Sequence, residues 1–476
     1  NLTFEGVGFM RKKWLVVLLA MLTVLAFPVG AFAADGPTNI QLQAGLNTAF
    51  TFLAFILVFF MQAGFALLEA GSTRMKNAGH VAGKTILTTG VAALSFWALG
   101  FGFGFGNDGG NGFMGLTGFF MSGTDAAASF DALSGLDVPI TIMFLFHFAF
   151  AAVSLSIACG GMAERAKLSV YIIFGILFSI VIYPVVAHWV WGGGWLGKLG
   201  MQDYAGSTVV HLTGATAALV ATLLLKPRLG KFNKDGKPNI IPGHNQVYSI
   251  LGVIILWFGW FGFNPGSAVS AMNDGFFGYV ALTTNIAAAA GGVFALLVSW
   301  MVYGKADIPA MLNGVLAALV AITGSCAFVA PWAALVIGAV AGIVTFFTAQ
   351  WFERARVDDP VYAFSVHGVA GMWGAVSTGF FATPELVKIT GVGQAGLFYG
   401  GGFTQLGVQL LGLIGTLAFV FVISFIILGG MKAIMGIRVT EEEETMGLDI
   451  SEHGTYGYPE QMKLVAEAEK RSGIVN

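Results

Sequence analysis

Apolar runs of similar length, separated by short polar breaks, repeat along nearly the whole chain. Runs able to cross a hydrocarbon layer of about 30 Å occur at 47–69, 80–106, 138–161, 168–191, 206–225, 246–268, 277–303, 310–329, 332–352, 361–381 and 401–431. This pattern predicts an all-α polytopic membrane protein with eleven transmembrane helices. One further run, 10–34, has a different build: a basic start (Arg11, Lys12, Lys13), an apolar core and an Ala-Phe-Ala end. It reads as a secretory signal peptide cleaved after Ala33. The nine residues before Met10 read as upstream sequence outside the mature protein, which N-terminal sequencing would test.

The polar breaks sort into two sets by charge. Arg74, Lys76, Lys84, Arg165, Lys167, the stretch from Lys226 to Lys237, Lys305, Arg354, Arg356 and the tail place eighteen basic residues on one side, against Lys198 and Lys388 on the other. The positive-inside rule then puts the mature N-terminus outside and the C-terminus in the cytoplasm. An odd number of spans requires the same arrangement. Residues 107–137 form an outside loop rich in Gly and Asp without a basic residue. The predicted organisation is upstream residues and signal peptide over 1–33, a transmembrane domain over 34–431 with halves at about 45–226 and 246–382, and a cytoplasmic tail over 432–476. The loop 226–245 and the tail are too short to be catalytic domains.

Composition narrows the function classes. Of the 476 residues, 56% are hydrophobic and 10% charged, against roughly 25% charged in an average soluble domain. A formal charge of −2 gives no reason to expect nucleic acid or a polyanionic partner. Cys159 and Cys326 lie in apolar runs with no ligand spacing and read as packing residues. The 67 glycines, including Gly100, Gly102, Gly104 and Gly106, read as devices for close helix packing in lipid.

The candidate chemistry lies in a repeated step. Asp203 precedes His211 by eight residues, and in DPVYAFSVHGVAG Asp359 precedes His367 by the same eight. Each acid stands where a span begins, as a helix cap would. Eight helical residues at 1.5 Å each would carry each imidazole about 12 Å inside its own membrane surface. The two spans enter from opposite sides, so units related by a twofold axis in the membrane plane would bring both imidazoles to one depth, a recurring transporter plan. Ser207, Thr208, Gly214 and Ala215 around one, with Ala363, Ala370 and Gly371 around the other, leave a narrow lumen. Packing histidines are the plain alternative, and the matched inverted contexts favour a functional pair. Desolvation drives buried imidazoles neutral, so such a site suits a small hydrogen-bonding molecule and offers a permanent ion no carboxylate.

At the outer end, HWVWGGGW supplies Trp189, Trp191 and Trp195, and GWFGFNPGSA supplies Trp260, Phe263 and Ser267. Aromatic faces with a hydroxyl collect cations; taken singly, each Trp better fits an interfacial belt. Phe150, in FHFAFAA, fits core filler equally well. No HExxH and no third ligand of suitable spacing accompany the histidines, so neither a metal centre nor an intramembrane hydrolase is expected.

Seven stretches together resemble the ammonium transporters of the Amt/Mep/Rh superfamily over residues 45–455: MQAGFALLEAG, GMAERAKLS, PVVAHWVWGGGW, DYAGSTVVH, GWFGFNPGSA, DDPVYAFSVHGVAGMWG and GLDISEHGTYGY. The resemblance implies a homotrimer with one pore per subunit, and a five-plus-five inverted repeat followed by a final helix. It implies an outer ammonium-recruiting site of Trp191 and Ser267 supported by Asp203, a gate of Phe150 and Phe263, and a pore lined by Trp260, His211 and His367. His147 stands where the resemblance more often has glutamine, one turn before Phe150, and would modify the gate. The function implied is uptake of ammonium from the periplasm, with ammonia passing a hydrophobic pore in a multi-pass inner-membrane protein. No enzymatic activity, catalytic residue, cofactor or metal is implied. The alternative is an ammonium sensor acting through its tail, with a PII-type nitrogen regulator as partner; the acidic run Glu441 to Glu444 otherwise reads as a solvated stretch.

Overall fold

The computed structural model describes residues 37–122, 126–458 and 460. The signal peptide and the residues before it lie outside the described residues. The chain divides into two compact units, Asn1–Ala44 and Gly45–Asn476. In the first, Thr38 and Gln41 cap each other's backbone N–H with their side chains, which starts a helix at Asn39.

Helices occupy the apolar runs: α1 (Asn39–Ser72), α2 (Met75–Phe105), α3 (Ile140–Gly160), α4 (Leu168–Lys198), α5 (Ser207–Leu225), α6 (Gln246–Ala268), α7 (Phe276–Tyr303), α8 (Ile308–Ser325) and α9 (Pro331–Arg354). They continue with α10, a π turn Phe364–Val369 running into Ala370–Phe381, and α11 (Thr404–Ile434). Ten of these, all but α10, are long and apolar enough to cross a membrane. The described residues contain isolated bridges but no strand. Polar caps mark several starts: the Asn245 side chain accepts the Tyr248 N–H at 3.1 Å, and Asp307 accepts that of Ala310 at 2.8 Å.

The two halves are antiparallel where they meet. A side chain on Gly64 of α1 would meet Leu256 of α6, one on Gly71 would meet Asn245 and Ser249, and one on Gly262 would meet Ala54 and Leu57. Ascending α1 therefore descends α6. In the same way Ser207, at the start of α5, lies beside Gly371 and Gly374 in the later part of α10, while the later part of α5 packs on the π turn of α10. Paired antiparallel elements from both halves are what an inverted repeat requires. Small residues permit the approach: Gly374 sits against the Ser207 hydroxyl and the Ala321 carbonyl, where a methyl group would collide.

The tail folds back over the end that carries the basic loops. Glu441–Met446 opens with a capping box between Thr440 and Glu443, and Leu448–His453 follows. The Asp449 carboxylate accepts the N–H groups of Gly79, His80 and Gly457. Leu448 N–H donates to the Asn77 side chain at 2.8 Å, so the tail is pinned to the start of α2.

Candidate functional site

Each of the two histidines rides on a π turn, Ser207–Leu212 in α5 and Phe364–Val369 in α10. The acid eight residues earlier fixes the start of each. Asp203 accepts the N–H groups of Gly206, Thr208 and Val209 at 3.1, 2.9 and 2.9 Å; Asp359 accepts those of Ala363 and Phe364 at 2.9 and 2.8 Å. Contrary to the sequence expectation, the eight residues are not all helical. Gly206 at φ 113° and Tyr362 at φ 58° break the backbone, so helix begins at Ser207 and beyond Tyr362. The imidazoles therefore ride fewer turns past their acids than eight helical residues would give. Both acids reach their helices across a loop.

A π turn widens the helix and frees backbone groups, which must find partners in a membrane interior. Ser154 of α3 donates to the Val210 carbonyl at 2.8 Å, and Thr345 of α9 donates to the Ser365 carbonyl at 3.3 Å. Each bond supports the backbone one or two residues before a histidine. The His211 and His367 rings are stacked at 5.3 Å and 15°, with their Nδ1 atoms 3.3 Å apart. A hydrogen bond between two Nδ1 atoms leaves one Nε2 as donor and the other as acceptor. His211 Nε2 is buried without a protein partner. No carboxylate hydrogen-bonds to either ring among the described residues.

Above the pair stands a ladder of rings. His211 stacks on Trp260 at 5.2 Å and 17° and on Phe263 at 5.5 Å, and Phe263 stacks on Phe150 at 4.0 Å and 18°. Phe150 is 6.0 Å from Trp191 and 6.2 Å from His147. Trp260 is held by Thr323 of α8, which accepts its Nε1–H at 2.7 Å. Beyond Phe150, Trp191, Ser267 and Asp203 line one cavity of about 310 Å³, open on one side. Trp191 donates its Nε1–H to the Asp203 backbone carbonyl at 2.8 Å. Asp203 thus positions the indole through the loop that its own carboxylate stabilises. Ser267 donates its hydroxyl to the Phe263 carbonyl at 2.8 Å, leaving its oxygen lone pairs to accept. The other tryptophans are packing: Trp189 lies 5.6 Å from Trp195 and 5.0 Å from Phe419 of α11.

At the basic end the structure assembles a cluster from residues of separate sequence segments. Glu164 is buried and pairs with Arg74 and Arg228; Arg228 also holds Asp358 at 2.9 Å. Arg165 donates to the carbonyls of Ala163, Lys226 and Asp358. Burial alone would raise the Asp358 carboxyl, yet the hydrogen bonds and charge of Arg228 hold it down at about 2. Burial opposes ionisation of Glu164 as well, and Arg228 and Arg74 outweigh it, lowering that carboxyl. Arg438 and Glu444 of the tail join at the edge, Glu444 also accepting the Leu229 N–H at 2.7 Å. Thr323, Ser154 and Thr345 carried no such signal in the sequence. Hydroxyls and amides in apolar runs carry no signal until the partner helix is known.

Such a fold and site define a multi-pass helical membrane protein built to pass something small. The ammonium transporter family model matches residues 49–458. The chain is 42% identical to ammonium transporter Amt2 of Archaeoglobus fulgidus over 95% of this chain and 96% of that one. It is 36% identical to an ammonium transporter of Bacillus subtilis over 87% and 99% of the two chains. Among solved structures it resembles one titled Sensor Amt Protein, with a TM-score of 0.78 at 34% identity over 87% of this chain and 99% of that one. It also resembles Saccharomyces cerevisiae Mep2, with a TM-score of 0.76 at 31% identity over 84% and 88%. The chain belongs to the ammonium transporter family, a family of transporters rather than enzymes.

Proposed function

We propose that the protein takes up ammonium from the outside of an inner membrane and passes it as ammonia, with net charge movement, through the pore lined by His211 and His367. One observation carries the proposal: two buried imidazoles on antiparallel π turns, Nδ1 to Nδ1 at 3.3 Å, at the foot of a column of rings. An ammonium-sized ion entering such a lumen faces an idealised Born cost on the order of 20 kcal/mol, several kcal/mol after relaxation. Neutral ammonia avoids it. Potassium has no proton to leave behind and meets the whole barrier.

In this reading the basic loops face the cytoplasm and the 310 Å³ cavity faces outward. Trp191 attracts the cation by its ring face, and the Ser267 oxygen accepts an ammonium N–H because its own hydrogen is committed to Phe263. Asp203 supports the indole from behind. The stacked Phe150 and Phe263 close the way to hydrated ions, and a molecule that has given up its proton slips past them. One Nε2 donor and one Nε2 acceptor of the histidine pair, with Trp260 alongside, then bond ammonia in passing. Methylammonium is the natural second substrate to try. A homotrimer in the bilayer is the proposed assembly.

Solid-supported-membrane currents on ammonium jumps, recorded with proteoliposomes of the full chain, test substrate and charge movement together. A transient that saturates with ammonium and is absent on potassium jumps is expected; equal currents for both ions would overturn the reading. A second reading, ammonium sensing, is favoured by the docked tail, whose Asp449 contacts tie it to α2, and by likeness to the protein titled Sensor Amt Protein. A PII-type regulator at the cytoplasmic face is the partner in that reading. A transport-dead variant that still signals would separate the two.

A further inference from the structure

His147 sits on α3 one turn before the gate residue Phe150, and only 8% of its surface is exposed. Its Nδ1 is buried, and the ring makes no hydrogen bond among the described residues. That is costly for an imidazole, since a buried polar group without a partner forfeits the solvation it had in water. Each of the other buried histidines has a partner on at least one ring nitrogen among the described residues: His188 bonds to the Gly104 carbonyl at 3.1 Å, His80 faces His453 at 3.0 Å, and His211 and His367 face each other. What surrounds His147 is aromatic. Its centroid is 3.9 Å from Phe105, 5.7 Å from Phe146, 6.2 Å from Phe150 and 6.0 Å from Trp191.

Trp191, Phe150 and His147 stand in a triangle with sides of 6.0, 6.0 and 6.2 Å. Trp191 lines the cavity and Phe150 is half of the ring stack with Phe263. The imidazole thus stands beside both the indole and the gate ring, within 6.2 Å of each. We propose that His147, in its neutral form, supplies the acceptor nitrogen for an ammonium N–H at this step, and so sets affinity at the gate of this protein. The inference rests on the ammonium-uptake reading above. It gives the orphaned imidazole a partner that is present only while substrate passes, and it provides at the gate an acceptor that the surrounding phenyl rings lack.

Charge on this ring would reverse its effect, because an imidazolium beside Trp191 repels the incoming cation. The groups packed on it from α2, α3 and α4, namely Phe105, Phe146, Phe150 and Trp191, are uncharged. Asp203, the carboxylate lining the cavity, is committed to the N–H groups of Gly206, Thr208 and Val209. No ion pair is therefore available to offset the charge of a protonated His147.

The test compares wild type, His147→Phe and His147→Gln by ammonium-jump currents at neutral pH. His147→Phe keeps a flat ring against Phe105 and removes the acceptor; its half-saturating ammonium concentration should rise about tenfold, the loss of one hydrogen bond to a charged donor. His147→Gln keeps an acceptor without a titrating group. It should hold near wild-type half-saturation. Wild-type half-saturation in His147→Phe, or a rise in His147→Gln as large as that in His147→Phe, would overturn the proposal. Should His147→Phe not assemble, His147→Leu removes the acceptor in its place and should show the same rise. Absence of ammonium current in wild type would instead sink the uptake reading itself.

Discussion

At the scale of residues, the pore is defined by which hydrogen-bonding atoms are already spent. Ser267 has given its proton to Phe263, Trp260 has given its own to Thr323, and Trp191 has given its own to Asp203. The remaining free polar atoms along the path are acceptors at the cation end and the imidazole pair further in. Replacing His211 or His367 by alanine removes one partner of the shared Nδ1 proton and opens space in a column where rings stack at 5.2 to 5.5 Å. Each variant should lose ammonium current or its discrimination against potassium by at least about tenfold, the value of one or two lost hydrogen bonds, while assembling normally on size exclusion. Unchanged current and unchanged potassium exclusion in both variants would remove the pair from the transport path. The histidines were legible in the sequence because the eight-residue step from an acid repeats. Ser154, Thr323 and Thr345 were not, since a hydroxyl in an apolar run reads the same whether it bonds to its own helix or to another.

At the scale of elements, the two π turns are the feature that one chain's hydrophobic pattern does not reveal. An extra residue in a single turn leaves the apolar period of a fully buried helix unchanged, because every face is apolar. The span boundaries carry the same lesson: 206–225 matches Ser207–Leu225 closely, whereas 310–329 ends at Ser325 in the structure, where the chain turns before Pro331 instead of continuing. The caps separate two roles that look identical in sequence. Asp203→Ala strips three N–H partners and loosens the loop whose carbonyl holds Trp191. Asp359→Ala strips two at the opposite end of the pair of helices. Each should cost about 1–3 kcal/mol of stability, read as a lowered unfolding temperature in detergent. Only Asp203→Ala should also raise the half-saturating ammonium concentration. An equal rise with Asp359→Ala would show that the caps act on the pore by general loosening rather than through the indole.

At the scale of the whole molecule, the basic end is a single electrostatic assembly. Glu164, Arg228 and Asp358 join the loops after α3, α5 and α9, with Arg74 from the start of α2, and the tail enters through Arg438 and Glu444. Sequence placed these charges on one side of the membrane by counting, but pairing needs the fold, since the partners stand 64 to 130 residues apart. The pH dependence follows from Asp358. Its carboxyl lies at about 2 in the folded protein against about 3.9 in an unfolded chain. The stabilisation is therefore fully present above about pH 4 and is lost as pH falls toward 2, where the folded form also takes a proton. A shift of this size on a buried group is worth about 2–3 kcal/mol. The unfolding temperature in detergent should be insensitive to this group between neutral pH and about 4 and should fall below it. Asp358→Asn leaves Arg228 buried with only Glu164 to balance it, so it should lower the unfolding temperature at neutral pH and flatten the acid limb. Parallel acid limbs in wild type and Asp358→Asn would assign the loss of stability to other carboxylates. Because the same cluster anchors Leu229 to the tail through Glu444, the neutral-pH defect of Asp358→Asn should be accompanied by faster proteolysis within 437–458. A tail that stays protected while the cluster weakens would mean that Asp449 and Asn77 hold it unaided.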